Sequence, residues 1–426
     1  MEEKTTYEKS TLANGLRIVS FTMPHTYSVC ISIFVGVGSR YEDADKAGVS
    51  HFIEHLCFKG TTRRTTAKDI CEAIEGVGGI LNGGTDRELT VYWCKVARPH
   101  YLLALDVLLD MLRDSKFDPT EVEKERRVII EELSAAWDSP HQRVDSLIDE
   151  VLWPDQALGR DVAGTKESVS AISRAAMLEF LTQRYFPGNA VVSVAGDIGH
   201  GEVVGSLEQT FDSWPQGSPG SWYPAVDEQN APRLRLESRK TEQAHLCLAV
   251  PGLSFLHPDR FALDLLNVIL GECMSSRLFT EIREKRGLAY DIHSYVSHYR
   301  DSGALTVYAG VHPKQADDAI RCVLAELARI RDEPIPSQEM VKAKELSKGR
   351  LLLRMEDTRS VSGWMGGQEL LTGHIYTVDE IVKLVDDLTP EDLHRVARNL
   401  LGTGRLNLAV VGPFRSERRF ERLLRL

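Results

Sequence analysis

The sequence predicts an α+β protein built as two homologous α/β-sandwich domains, and three observations carry that expectation. A pattern of strand, helix, strand and helix occurs twice. Each copy closes on a β-rich run stopped by glycine. A stretch dense in Pro, Gly and Ser separates the copies. The first copy has β-rich runs at 27–34 and 90–96, a helical stretch ending at Phe58 between them, and an apolar-periodic helix at 99–112. The second has β-rich runs at 244–250 and 304–310, with helices at 261–270 and 313–330. Thr90-Val91-Tyr92 matches Thr306-Val307-Tyr308, each just ahead of its helix. The closing runs lie at 189–196 and 406–412, each ending on Gly. Because strands and helices mix without strict βαβ alternation, α+β fits better than a parallel α/β sheet.

The expected division is a first domain at 1–215, a linker at 216–232 and a second domain at 233–426. Pro, Gly and Ser at this density cannot continue a helix or a sheet. A chain of 426 residues is long enough for two such domains, and a duplication of this kind can form half of a clamshell. The balance of 51 Lys+Arg against 62 Asp+Glu leaves a net charge of -11, which argues against nucleic acid as a partner. No apolar run reaches the ~18 residues of a membrane span, so no membrane partner is expected. The first residues, Met1-Glu2-Glu3-Lys4, resemble neither a signal peptide nor a transit peptide, which makes the cytoplasm the expected compartment. Seven scattered cysteines, none in a Cys-x-x-Cys pair, favour small buried hydrophobes over disulfides or a thiolate metal site.

Chemistry concentrates near residue 51. Val49, Phe52, Ile53 and Leu56 recur at helical spacing, and Gly60 is a helix stop. His51 and His55 are four apart, so both imidazoles leave one face of that helix and can grip one ion. Glu54 adjoins His55 without being placed to replace a ligand. A zinc ion lowers the pKa of water to near 7, and a carboxylate within hydrogen-bond reach can take the proton. The alternative at this point is two ordinary histidines on a helix.

A catalytic zinc needs three protein ligands. A second helix supplies a candidate: Asp118, Pro119 and Glu121 read as N-cap, first helical position and the closing residue of a capping box. Further along, Glu125 and Glu132 are seven apart and share a face with Val128 and Ile129. Carboxylates on an otherwise apolar stripe are costly to bury unless they meet positive charge. Glu131, four after Arg127, reads instead as half of a surface ion pair.

His51-x-x-Glu54-His55, followed after 76 residues by Glu132, resembles the inverted zinc motif of the pitrilysin-like (M16) metallopeptidases. The resemblance spans essentially the whole chain and points to the short, two-domain, mitochondrial-processing-peptidase-like branch of bacterial type. It implies one Zn2+ held by His51, His55 and Glu132, with Glu54 as general base and Glu125 as an outer-shell carboxylate. It further implies that Asn82, Gly83 and Gly84 belong to an edge strand on which a substrate peptide adds as a further strand. The family usually has Asn-Ala where this chain has Asn82-Gly83-Gly84, and the extra glycine loosens the backbone there. In the second half, Arg283 and Tyr290 resemble the family's Arg-and-Tyr pair, which hydrogen-bonds a peptide carbonyl and the developing oxyanion. The helix at 261–270 has no His-x-x-Glu-His, so the second domain can only bind, shape or complete the site. The activity this implies is that of a zinc metalloendopeptidase acting on peptides or unfolded segments. The implied partner is a second copy, forming a homodimer, or a related chain in a heterodimer. The rival reading is a non-catalytic core-like subunit of a larger assembly.

Overall fold

The computed structural model describes residues 7–211, 214, 216–218 and 220–426. The first four residues, the boundary at 215 and residue 219 of the expected linker lie outside this set. The described residues of 216–232 form neither helix nor strand.

Two sheets hold the fold. The first contains β1 (Glu8–Thr11), β2 (Arg17–Thr22), β3 (Ser28–Val35), β4 (Ile80–Thr85), β5 (Thr90–Ala97) and β6 (Ala190–Gly196), in the order β1-β2-β6-β3-β5-β4. The second contains β7 (Arg233–Ser238), β8 (Ala244–Pro251), β9 (Ala289–His298), β10 (Gly303–Val311) and β11 (Asn407–Gly412), in the order β7-β11-β8-β10-β9. Strand for strand, β2-β6-β3-β5-β4 and β7-β11-β8-β10-β9 are the same path. The β2–β6 and β7–β11 pairs are parallel, and the other pairs of each path are antiparallel. The duplication expected from the sequence is thus a duplication of sheet topology. The predicted β-rich runs become β3, β5, β6, β8, β10 and β11, the central strands. These are apolar enough to be read, because a strand covered on both faces needs apolar residues throughout. The more polar strands β1, β4, β7 and β9 occupy sheet edges.

Two compact units partition the chain. One comprises Met1–Leu133 (described from Tyr7), Asp161–Tyr223 and Leu352–Thr377, and the other Ser134–Arg160, Pro224–Leu351 and Val378–Leu426. The first sheet belongs to the first unit, which also takes the helix Thr358–Thr372 from the second half of the sequence. Val361, Met365 and Leu370 of that helix bury against Val19, Phe34, Val191 and Ala195. The second unit takes the helix Pro140–Leu152 from the first half. Its Val144, Leu147, Ile148 and Val151 bury against Cys247, Ala249, Ala409 and Val411 of the second sheet.

The helix Thr358–Thr372 lies so close to its sheet that a Cβ at Gly366 would sit 2.2 Å from Phe34 Cε2. Ser362 Oγ donates to the Ser193 carbonyl at 2.9 Å and pairs with the Ser32 hydroxyl at 2.8 Å, which satisfies it in a buried contact. Gly366→Ala is therefore expected to destabilise the protein by about 1–3 kcal/mol through overpacking. Denaturant unfolding checks this, and an unchanged midpoint would mean that the helix yields without cost.

Candidate metal centre

The helix Val49–Cys57 is placed by its apolar side. Val49, Phe52, Ile53, Leu56 and Cys57 are buried in the first unit's core, where each of the larger ones contributes about 1.5–3 kcal/mol. Its start is tightly specified. Gly48 sits at φ 93°, and an added Cβ would lie 2.4 Å from the Ala163 carbonyl oxygen, so only glycine fits. The buried Glu42 carboxylate accepts hydrogen bonds from the Gly48 and Ser50 amides, each at 2.7 Å. It satisfies amide donors at the positive end of the helix dipole. Gly60, at φ 123°, follows the helix end, as predicted.

The face opposite the core carries His51, Glu54 and His55, each partly exposed. The two imidazoles meet edge to face, with ring centroids 4.5 Å apart. The helix Pro119–Asp138 brings Glu132 to them: its Oε2 lies 3.9 Å from His51 Nε2 and 3.8 Å from His55 Nε2. One donor atom from each of these three residues falls within 4.8 Å of the other two. Among the described residues this is the one group of three His, Cys, Asp or Glu side chains so arranged. Donors bonded to one tetrahedral zinc at about 2.0–2.2 Å stand about 3.4 Å apart, so two imidazole nitrogens and a carboxylate oxygen at these separations fit such an ion. Burial, then the neighbouring His55, pushes His51 down to about 4, which leaves its imidazole neutral and able to ligate at neutral pH.

Glu125 stands behind His55. It is buried, with Oε2 3.1 Å from His55 Nδ1 and Oε1 2.8 Å from Lys59 Nζ. Burial alone would raise this carboxyl, but the hydrogen bonds from His55 and Lys59 prevail and hold it below the usual carboxylate range. An ionised Glu125 makes His55 Nδ1 the donor and leaves Nε2 with its lone pair toward Glu132 and His51. His51 differs: among the described residues its buried Nδ1 has no hydrogen-bond partner.

The apolar-stripe expectation for Glu132 needs correction. The buried positions of its helix are Val122, Glu125 and Ile129, whereas Val128 is 49% exposed and the Glu132 side chain 53% exposed. Glu132 lies in line with Glu125 but beyond the buried stretch of the helix, so it meets the imidazoles half exposed. The capping box is also only half present. Asp118 Oδ1 accepts from the Thr120 and Glu121 amides, while the Glu121 carboxylate takes Lys124 instead.

Glu54 points toward β4. The Thr85 hydroxyl donates to its Oε2 at 2.8 Å, and a Cβ at Gly83 would lie 3.0 Å from its Oε1 and 3.0 Å from Phe58 Cε2. Burial raises the Glu54 carboxyl above its ordinary value, against the opposing Thr85 hydrogen bond. Among the described residues the strand is at the sheet edge, paired only with β5. Asn82 is exposed on it, with Oδ1 accepting from the Gly83 amide at 2.7 Å, and Gly84 faces open space.

Arg283 and Tyr290 lie in the second unit. Arg283 belongs to a single π-helical segment, Phe279–Glu284, and its guanidinium carbon is 5.0 Å from the Tyr290 ring centroid and 4.8 Å from that of Phe279. Tyr290 is 77% exposed on β9, the edge strand that corresponds to β4. The structure thus joins Arg283 to Tyr290, and joins His51, His55, Glu132, Glu125 and Glu54, in separate units. Sequence reasoning missed Thr85, Lys59 and Glu42. Lys59, four residues after His55 and just past the end of its helix, carried a readable signal. Thr85 and Glu42 carried none, since each is recognised only through a contact made by folding.

The two units carry sheets of one topology, and the first also carries a two-His, one-Glu cluster on two of its helices. The family model described as "Insulinase (Peptidase family M16)" matches residues 17–166, and "Peptidase M16 inactive domain" matches 171–347. An uncharacterized zinc protease of Streptomyces coelicolor is 37% identical over 97% of this chain and 91% of its own length. The chain belongs to peptidase family M16. Among solved structures, a protease from Helicobacter pylori shares the fold with a TM-score of 0.90 at 24% identity, covering 96% of this chain and 99% of that one. A chain of Complex III2 from Candida albicans shares it with a TM-score of 0.83 at 18% identity, covering 98% of this chain and 100% of that one.

Proposed function

We propose that this protein is a zinc-dependent endopeptidase that cuts peptides or unfolded segments, with one zinc per chain held by His51, His55 and Glu132. The observation that carries the reading is the convergence of these three donors beside Glu54, at the free edge of β4. Bound zinc would polarise a water and the scissile carbonyl, stabilising the charge that develops on the carbonyl oxygen. Glu54 takes the proton of that water and later delivers it to the leaving amine. Glu125 and Lys59 hold His55 in the tautomer that leaves Nε2 free. The unpaired edge of β4, with Asn82, Gly83 and Gly84, receives the substrate main chain as an added strand. Arg283 and Tyr290 donate to the peptide carbonyl and the oxyanion, and we assign them to the site of a second copy of the chain.

Other features fit this reading. The seven cysteines form no disulfide, which suits the cytoplasm. Among the described residues no helix is long and apolar enough to cross a membrane. The fold similarity to a chain of Complex III2 supports a second reading, a non-catalytic assembly subunit. Zinc content measured together with cleavage of an unstructured peptide library separates the two: the endopeptidase loads zinc and cuts, while the assembly subunit cuts nothing when loaded.

A strand-addition mode requires an extended substrate, and unfolding a stable domain costs about 5–15 kcal/mol. Flexible peptides should be cleaved and tightly folded proteins containing the same sequences spared. Mass spectrometry of paired digests checks this, and efficient cutting of the folded partner counts against strand addition.

A further inference from the structure

We infer that Thr85 is a positioning residue for the base, and that it decides which oxygen of Glu54 does the chemistry. This deepens the proposed peptidase reading and rests on it. Thr85 is the last residue of β4, and its hydroxyl donates to Glu54 Oε2 at 2.8 Å across 31 residues of sequence. That hydroxyl occupies Oε2, the Thr85 main chain adds a further hydrogen bond to the carboxylate, and Oε1 is assigned as the acceptor for a water proton. Oε1 lies in the space that a side chain at Gly83 would fill, 3.0 Å from the ideal Cβ position. One short strand therefore offers its edge to the substrate backbone, clears room for Oε1 and anchors Oε2.

With this arrangement the atoms of the step balance. An O–H bond of water breaks, its proton passes to Oε1, and the oxygen bonds to the scissile carbonyl carbon as the C=O π pair moves onto the carbonyl oxygen. That pair then re-forms C=O as the C–N bond breaks, and the proton held on Oε1 goes to the departing nitrogen. Throughout, the Thr85 proton stays on its own oxygen, so Thr85 exchanges nothing. Its contribution is orientation: a carboxylate on a flexible side chain is held in one rotamer while its partner atoms approach. Placing this contact on the docking strand has a further consequence. A peptide that pairs with β4 orders the same backbone that carries Thr85, so substrate binding and base alignment share one element.

The test compares Thr85→Val, which keeps the shape and removes the hydroxyl, with Thr85→Ser, which keeps the hydroxyl. Both are assayed as zinc-loaded full-length protein on a fluorogenic unstructured peptide, beside the parent chain. Because a hydrogen bond to a charged group contributes to this alignment, Thr85→Val should lower kcat about 10- to 100-fold. KM and zinc stoichiometry should remain at the parent values, since neither ligands nor strand edge are altered. Thr85→Ser should recover most of the lost kcat. Parent-like kcat in Thr85→Val overturns the inference, as does a loss in kcat that Thr85→Ser shares. A loss of zinc or a rise in KM without change in kcat also overturns it, because either assigns Thr85 to the structure of the site or to substrate docking. A zinc-loaded parent that cleaves no peptide is a separate result, and it removes the peptidase reading itself.

Discussion

Glu54→Gln is expected to bind zinc as the parent does and to lose about 10²- to 10⁴-fold in turnover, the usual contribution of a positioned general base. Where Glu54 stands is the reason. Its neighbour His55 turns Nε2 toward Glu132, whereas the Glu54 carboxylate turns to Thr85 and Gly83 on β4. Glutamine preserves length and can still meet the Thr85 hydroxyl, so the helix and the donor cluster should be undisturbed. It cannot accept the proton. His55→Ala makes the contrast, because it removes one donor of three and also leaves the buried Glu125 carboxylate without its imidazole. It should lose both zinc and activity, and a chelator should likewise silence the parent. Metal analysis and peptide cleavage on the same preparations decide the matter. Wild-type turnover in Glu54→Gln would remove Glu54 as the base even if zinc is bound.

Mixing Glu54→Gln with Tyr290→Phe, each nearly inactive alone, should restore activity once subunits exchange. The two sets of residues stand in different units of the chain. The zinc-ligand candidates belong to one unit, and Tyr290 lies exposed beside Arg283 on β9 in the other. An exposed phenol stacked on a guanidinium is available to a site supplied by a partner copy. If the site is completed in trans, a mixed dimer concentrates both defects in one site and leaves the other intact. Equal mixing makes half the dimers mixed, so about a quarter of parental activity should return, given a closed two-fold dimer. Absence of any recovery, with exchange shown by differently tagged chains, would place the Arg283 and Tyr290 contribution in cis or remove it.

Much of the centre was legible because it depends on local geometry. Residues four apart on a helix share a face whatever the rest of the chain does, so His51 and His55 could be paired from spacing alone. The central strands and the second-half helices were legible for a similar reason: an element buried in a sheet or core shows continuous or periodic apolar residues. Glu132 marks where local geometry stops. Its seven-residue spacing from Glu125 correctly put both on one side of the helix. The sequence could not say that the buried stripe runs through Val122, Glu125 and Ile129, leaving Glu132 half exposed.

By itself, then, the sequence determined the duplicated α+β plan and the spacing of the candidate donors, because both are written in short-range periodicity. Tertiary structure alone decided what joins distant segments. It set Glu42 on the amides that open the helix of His51, 6 and 8 residues away, and Thr85 on Glu54, 31 residues away. It set Glu125 on His55, 70 residues away. It also gave each sheet a helix from the other half of the chain, Pro140–Leu152 to the second and Thr358–Thr372 to the first. No periodicity encodes such choices. They are made by which apolar faces bury together and which buried polar groups find partners, and both are properties of the whole folded chain.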